Sequence, residues 1–80
     1  MNNEKLAGMK IGEPLIGHVV DCRNLNVRKD PDENAEILGT IPVGAEVMID
    51  ENESTSDFYN ICAASGFEGF CMKRFIEVEA

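Results

Sequence analysis

The chain of 80 residues has no tryptophan, one tyrosine, one histidine and no long apolar run. Because a membrane span needs about 20 apolar residues, we expect no membrane partner. The first residues also lack the apolar core of a signal peptide, so we expect a protein synthesised in the cytoplasm without one. The lone histidine, His18, has no acid-base partner or nucleophile at catalytic spacing, and the sequence therefore predicts no enzyme.

Basic residues are scarce: seven lysines and arginines stand against fifteen acids, a formal net charge of −8. Phosphate binding needs a basic face, so this balance argues against nucleic acid. Acids are concentrated within residues 46–57, which contain no basic residue and no glycine. A calcium loop needs a glycine at its bend, so we interpret this segment as a solvated hairpin tip and predict no metal and no cofactor.

The three cysteines, Cys22, Cys62 and Cys71, form no Cys-x-x-Cys pair. A structural zinc site needs four ligands, and only His18 is available as a fourth. We therefore expect small apolar thiols in a reducing compartment. A turn at Ser65-Gly66 would place Cys62 opposite Gly69, offset from Cys71.

Apolar and polar residues alternate in short segments that Pro, Gly, Asn and acidic residues separate. This spacing is typical of a small all-β barrel or sandwich, here of five to six short antiparallel strands. The predicted strands are residues 17–22, 25–29, 37–41, 45–50, 58–63 and 67–71, with 72–78 closing the sheet after one helical turn at 72–74. Residues 1–16 are expected to form a flexible N-terminal arm, with a short strand around Leu15-Ile16, and residues 17–80 the domain.

The alternation also predicts which side chains meet in the interior. The expected core residues are Leu25, Val27, Ile37, Val47, Ile49, Ile61 and Ile76. Gly39, Gly44 and Gly69 are expected where the barrel needs a permissive backbone or a close approach between strands. Arg28 points outward if Val27 points inward, either with its stem on the barrel and its head in water or in contact with a ligand.

Three segments, taken in order, resemble the bacterial SH3 (SH3b) domain family. They are residues 22–28 with Pro31, resembling Leu-Asn-Val-Arg-x-x-Pro; residues 37–44, resembling Val-Ile-Gly-x-Leu-x-x-Gly; and residues 58–61, 66–71 and 74–76, resembling the Trp-Tyr-Lys-Val and Gly-x-x-Gly-Tyr-Val closing half. The resemblance implies a small SH3-like barrel. Phe58 stands where the family usually has Trp, so it keeps the apolar ring and lacks the N–H donor.

The resemblance implies a non-catalytic binding module that recognises bacterial cell-wall peptide (peptidoglycan) or a protein partner. The ligand contacts it implies are Asn26, Phe58, Tyr59 and Phe70, where aromatic faces and polar groups would form a shallow groove. An alternative is a standalone structural or assembly protein, for example of a prophage or phage particle. In either case the protein would reach the cell wall or a virion after lysis or assembly.

Overall fold

A computed structural model describes residues 15–79, and in it the alternating apolar residues lie on the inner side of one curled antiparallel sheet. The strands are β1 (Leu15–Val19), β2 (Asn24–Arg28), β3 (Ile37–Pro42), β4 (Glu46–Asp50), β5 (Phe58–Ala63), β6 (Glu68–Met72) and β7 (Ile76–Val78). Their order across the sheet is β3-β2-β6-β5-β4-β1-β7. The predicted all-β, SH3-like small barrel is confirmed.

The described residues form seven strands rather than the predicted five to six, because the segment that closes the sheet contributes a strand of its own, β7. After β6 a single turn of 3-10 helix at Lys73–Phe75 redirects the chain into β7, which pairs with β1. The predicted helical turn is therefore present one residue later than expected. The short strand expected at Leu15 and Ile16, within the predicted arm, is the beginning of β1. The rest of that predicted arm, residues 1–14, lies outside the described residues.

The interior is a continuous apolar cluster to which all seven strands contribute. Its members are Val19, Leu25, Val27, Ile41, Val47, Ile49, Ile61, Ala63, Cys71 and Ile76. Six of the seven predicted core residues are buried as expected. Alternation on β2, β4 and β5 thus identified the core side correctly.

Ile37 is the exception, since 48% of it is exposed. The pairing of β2 with β3 shifts between Val27, which lies opposite Gly39, and Arg28, which lies opposite Ile37. Such a bulge inserts one residue, and one residue reverses the side to which a strand residue points. The prediction that Ile37 fills the core was wrong for this reason.

The connection between β1 and β2 is a bend of four residues, 20–23. Asp21 has a positive φ of 60°, a conformation that Asp tolerates better than most residues. The two strands are not neighbours: β1 lies between β4 and β7, and β2 lies between β3 and β6. The bend therefore carries the chain from one part of the sheet to another.

Two glycines allow strands and rings to approach closely, as the sequence predicted. A Cβ at Gly39 would stand 2.6 Å from Cζ of Phe67, and one at Gly69 would meet the side chain of Val27 and the carbonyl oxygen of Arg28. Side chains at these points would separate β3 from the Phe67 ring and β6 from β2.

Among residues 15–79, no helix is long and apolar enough to cross a membrane.

Candidate functional site

The outward side of the sheet carries a row of four side chains on four neighbouring strands, which we call the outward row. Arg28 of β2 lies opposite Phe70 of β6, Phe70 lies opposite Asn60 of β5, and Asn60 lies opposite Asp50 of β4. Directly opposed residues in antiparallel strands have Cα atoms about 4.5–5.5 Å apart, so their side chains are neighbours. The row combines a cation, an aromatic ring, an amide and a carboxylate.

Phe70 is the aromatic centre of the outward row. Its neighbours along β6, Gly69 and Cys71, are buried, whereas Phe70 points away from the core and is half-buried. A half-buried ring with an amide on one side and a cation on the other can cover an apolar group while the amide bonds to a backbone. This is the composition expected of a shallow peptide-binding surface.

Asn26 extends this surface along β2. It is exposed, lies two residues from Arg28 on the same side of the strand and faces Thr40 of β3. Its amide can both donate and accept a hydrogen bond. Asn26 and Phe70, two of the sequence-predicted site residues, therefore share the outward side on adjacent strands.

Phe58 also points outward, since Tyr59 next to it faces the core, but it is only 5% exposed. It lies opposite Met72 of β6. The polar hairpin holds it at both backbone groups: Phe58 N–H donates to Oγ1 of Thr55, and Thr55 N–H donates to the carbonyl of Phe58. Phe58 is therefore buried at the base of the hairpin and presents no open face.

Tyr59 lies on the other side of the sheet from the outward row. It is half-buried, packs against the core cluster and faces Cys71 across β5 and β6. Nζ of Lys73 lies 4.9 Å from the centroid of its ring, a cation–π contact. The structure therefore does not bring Tyr59 together with Asn26 and Phe70.

The guanidinium group of Arg28 is hydrogen-bonded to the loop that joins β2 to β3, rather than lying free in water. Its Nη1 donates to the carbonyl of Ala35 at 3.0 Å. In the same loop the backbone N–H of Asn34 donates to Oδ1 of Asp32. Arg28 therefore fixes the loop beside Phe70 and acts on the surface chiefly by positioning it.

The acidic hairpin between β4 and β5 borders the other end of the outward row. Asp50 begins a single turn of 3-10 helix at Glu51–Glu53 and accepts a hydrogen bond from the N–H of Asn52. Ser54 donates to the carbonyl of Asp50 and accepts from the N–H of Asn60, which joins the tip to both strands. The hairpin is an ordered, exposed acidic tip, as predicted.

All three cysteines are free thiols. Cys62 lies opposite Glu68 rather than the predicted Gly69, so the expected register was wrong by one residue, although Cys62 and Cys71 are offset as predicted. Burial, and then the charge of Cys22, raises the pKa of the Cys71 thiol to about 12. Burial, and then Asp21, raises the pKa of the Cys22 thiol. Both thiols are therefore protonated near neutral pH and are poor nucleophiles.

His18 points outward from β1 between acidic neighbours. Its Nε2 lies 3.4 Å from Oε1 of Glu77, and its Nδ1 lies 3.8 Å from Oε2 of Glu79. Glu46 lies directly opposite it on β4. Both ring nitrogens thus face carboxylates rather than a cysteine, which gives His18 a role in joining β1 to the end of the chain.

Sequence reasoning missed Asn60 and understated Arg28 as parts of the surface. The alternation along β5 indicated that Asn60 faces away from the core. What it could not indicate is that β6 lies between β5 and β2, which places Phe70 between Asn60 and Arg28. That arrangement depends on strand pairing between distant segments.

Most of the chain matches the sequence model of a known protein family. Residues 23–77, well over half of the chain, match the model of the bacterial SH3 domain. A comparison with curated proteins gave no significant match. The matched range runs from the residue before β2 to the middle of β7 and contains the whole outward row. The chain therefore belongs to the bacterial SH3 domain family.

Proposed function

We propose that this protein is a non-catalytic binding module that recognises an extended peptide of the bacterial cell wall on its outward row. Domains of this family are generally binding modules, often for peptidoglycan. The observation that carries the proposal is the position of Phe70, half-buried on the outward side between Asn60 and Arg28.

The chemistry of the row suits a short peptide that carries both amines and carboxylates. Phe70 covers an apolar stretch, and the amides of Asn26 and Asn60 bond to backbone groups. Asp50, at the acidic end of the row, accepts hydrogen bonds from an amine. Phe58, buried at the base of the hairpin, and Tyr59, on the opposite side of the sheet, contribute packing.

Co-sedimentation with purified peptidoglycan sacculi tests this proposal. We expect the wild-type protein to pellet with sacculi and Phe70→Ala to reduce the apparent affinity by about tenfold or more, as truncating a central aromatic contact does. Asn26→Ala, a change at an exposed position, should also reduce it. Val43→Ala is the matched control, because Val43 is an exposed apolar residue in a turn away from the row.

Circular dichroism of each variant separates lost binding from lost folding. Wild-type protein that stays in the supernatant would contradict wall binding, and equal pelleting of Phe70→Ala and wild type would remove the outward row from the site.

A second candidate is an assembly component, for example of a phage particle, that binds a protein rather than the wall. An exposed apolar segment on β3 favours it: Ile37 is 48% exposed and Leu38 is 43% exposed. Stable incorporation into a particle, shown by sedimentation of the intact assembly, would support this role. Wall binding after host lysis and a place in the particle are compatible with each other.

A further inference from the structure

The free side of β3 is open to hydrogen bonding. Within residues 15–79, β3 is an edge strand whose single neighbour is β2. The N–H of Val43, immediately after β3, donates to the carbonyl of Arg23 on the β2 side. Backbone groups alternate in direction along a strand, so Ile41 also faces β2 and the amide and carbonyl of Thr40 face away from it. A further strand could bond to them there.

The side chains beside this free edge are apolar. The β-bulge between Val27 and Arg28 turns Ile37 outward, and Leu38 next to it is exposed as well. Sheet edges in monomeric proteins are usually protected by charged residues, prolines or short length, whereas this edge has a proline only at its end, Pro42. An exposed apolar edge of this kind marks a site of strand addition.

The loop that leads into β3 determines the charge of the strand that fits. Residues 29–36 contain one lysine and four acids, Asp30, Asp32, Glu33 and Glu36, a net charge of −3, and all five side chains are exposed. The bond from Arg28 to the carbonyl of Ala35 holds this loop next to the edge. A second copy of the chain, at −8, would be repelled, whereas a basic segment would be attracted.

We propose that the free edge of β3 accepts an extended basic segment of a partner protein as an added antiparallel or parallel strand. Its backbone bonds to Thr40, its apolar side chains cover Ile37 and Leu38, and its lysines or arginines face the acidic loop at residues 29–36. This edge is separate from Phe70, so the inference does not depend on recognition of wall peptide.

Blocked eight-residue peptides test the edge, one alternating lysine with valine and one alternating glutamate with valine. Isothermal titration with the full chain at low salt should give at least about tenfold tighter binding of the lysine peptide, because the acidic loop repels the other. Hydrogen exchange of the Thr40 amide should slow when the lysine peptide is bound.

Two variants locate the binding. Thr40→Pro removes an outward N–H, which an edge strand tolerates, and blocks strand addition; the affinity should fall by about tenfold or more. Thr40→Val keeps the N–H and is the matched control, expected within about threefold of wild type. Glu33→Gln with Glu36→Gln, at exposed positions that leave folding intact, should weaken the lysine peptide selectively.

Three results would overturn the proposal. One is equal affinity for both peptides, and another is unchanged binding by a folded Thr40→Pro variant. The third is dimerisation of the wild-type chain that Thr40→Pro abolishes, seen by sedimentation equilibrium, which would assign the edge to a second copy. Loss of binding to sacculi on Phe70→Ala would leave the edge proposal unaffected, because the two surfaces are tested with different ligands.

Discussion

The ring of Phe67 lies against the backbone of Gly39, with so little space between them that a β-carbon would stand 2.6 Å from Cζ. Phe67 ends the turn between β5 and β6, and Gly39 lies in β3, so the contact joins a hairpin tip to the edge of the sheet. The free edge is therefore held in place from the inner side by one aromatic ring.

Gly39→Ala should destabilise the protein by about 1–3 kcal/mol, because the ring of Phe67 must shift to admit the methyl group. Urea unfolding followed by circular dichroism measures the loss. The double variant with Phe67→Leu provides the control, since a smaller side chain leaves room and should recover part of the stability. If the two changes are simply additive, the contact does not limit the space at Gly39.

Gly69→Ala should destabilise the protein more than Gly39→Ala does, by about 3 kcal/mol, because backbone atoms as well as a side chain occupy the space that the methyl group needs. The new β-carbon would meet the side chain of Val27 and would stand 2.7 Å from the carbonyl oxygen of Arg28. A carbonyl in a strand cannot rotate away, so adding Val27→Ala should not restore stability. Full recovery in that double variant, measured by the same unfolding assay, would contradict this explanation.

Stability should fall in alkaline solution through Cys71. Its pKa is raised from 9.0 to about 12 in the folded protein, whereas the unfolded chain ionises near 9.0. The stabilisation is therefore complete below pH 9 and is lost as the pH rises from 9 to 12. This difference between the folded and unfolded pKa corresponds to about 4 kcal/mol of the free energy of unfolding.

Urea unfolding of wild type and Cys71→Ala at about pH 8 and about pH 11 isolates this effect from other groups. The wild type should lose more stability between the two conditions than the variant does. Cys62→Ala, which removes a half-buried thiol, is the control and should keep the wild-type dependence. Equal losses in wild type and Cys71→Ala would exclude Cys71 as the cause.

Phe58→Ala should destabilise the protein by about 3 kcal/mol, as expected for truncation of a buried aromatic side chain. Phe58 is 5% exposed, and its backbone is hydrogen-bonded to Thr55 of the hairpin. Thermal unfolding should show the loss, and amide exchange in residues 51–57 should accelerate. Phe70→Ala, at a half-buried position, is the comparison and should destabilise the protein less. A larger loss of stability in Phe70→Ala than in Phe58→Ala would contradict a packing role for Phe58.

Local sequence pattern predicted the fold because its strands carry their own signal. Val47 and Ile49 share one side of β4, and Pro42 and Gly44 form a turn, so strand limits and the core side could be inferred before any pairing was known. The failures have one physical origin. Ile37 and the register of Cys62 depend on a single residue gained or lost between strands, which local alternation does not record.

The candidate site was predicted only in part, since its members come from separate strands. Asn26 and Phe70 were identified individually, but their common surface depends on β2 lying next to β6. Phe58 and Tyr59 are consecutive, and consecutive strand residues must face opposite sides, so they cannot share one groove with equal exposure. Burial of Phe58 depends on tertiary packing that the pattern of residues 58–63 does not contain.

The pairing of β1 with β7 has an architectural consequence. The N–H of Glu79 donates to the carbonyl of Ile16, so the polypeptide enters and leaves the domain at adjacent points. Residues 79 and 15 could be joined by a short linker and new ends opened in the exposed turn after Ser65, giving a circular permutant with the same sheet. The same arrangement allows the domain to be inserted into a surface loop of another protein. In such a fusion the free edge of β3 would stay accessible, because β3 lies at the opposite end of the strand order from β1 and β7.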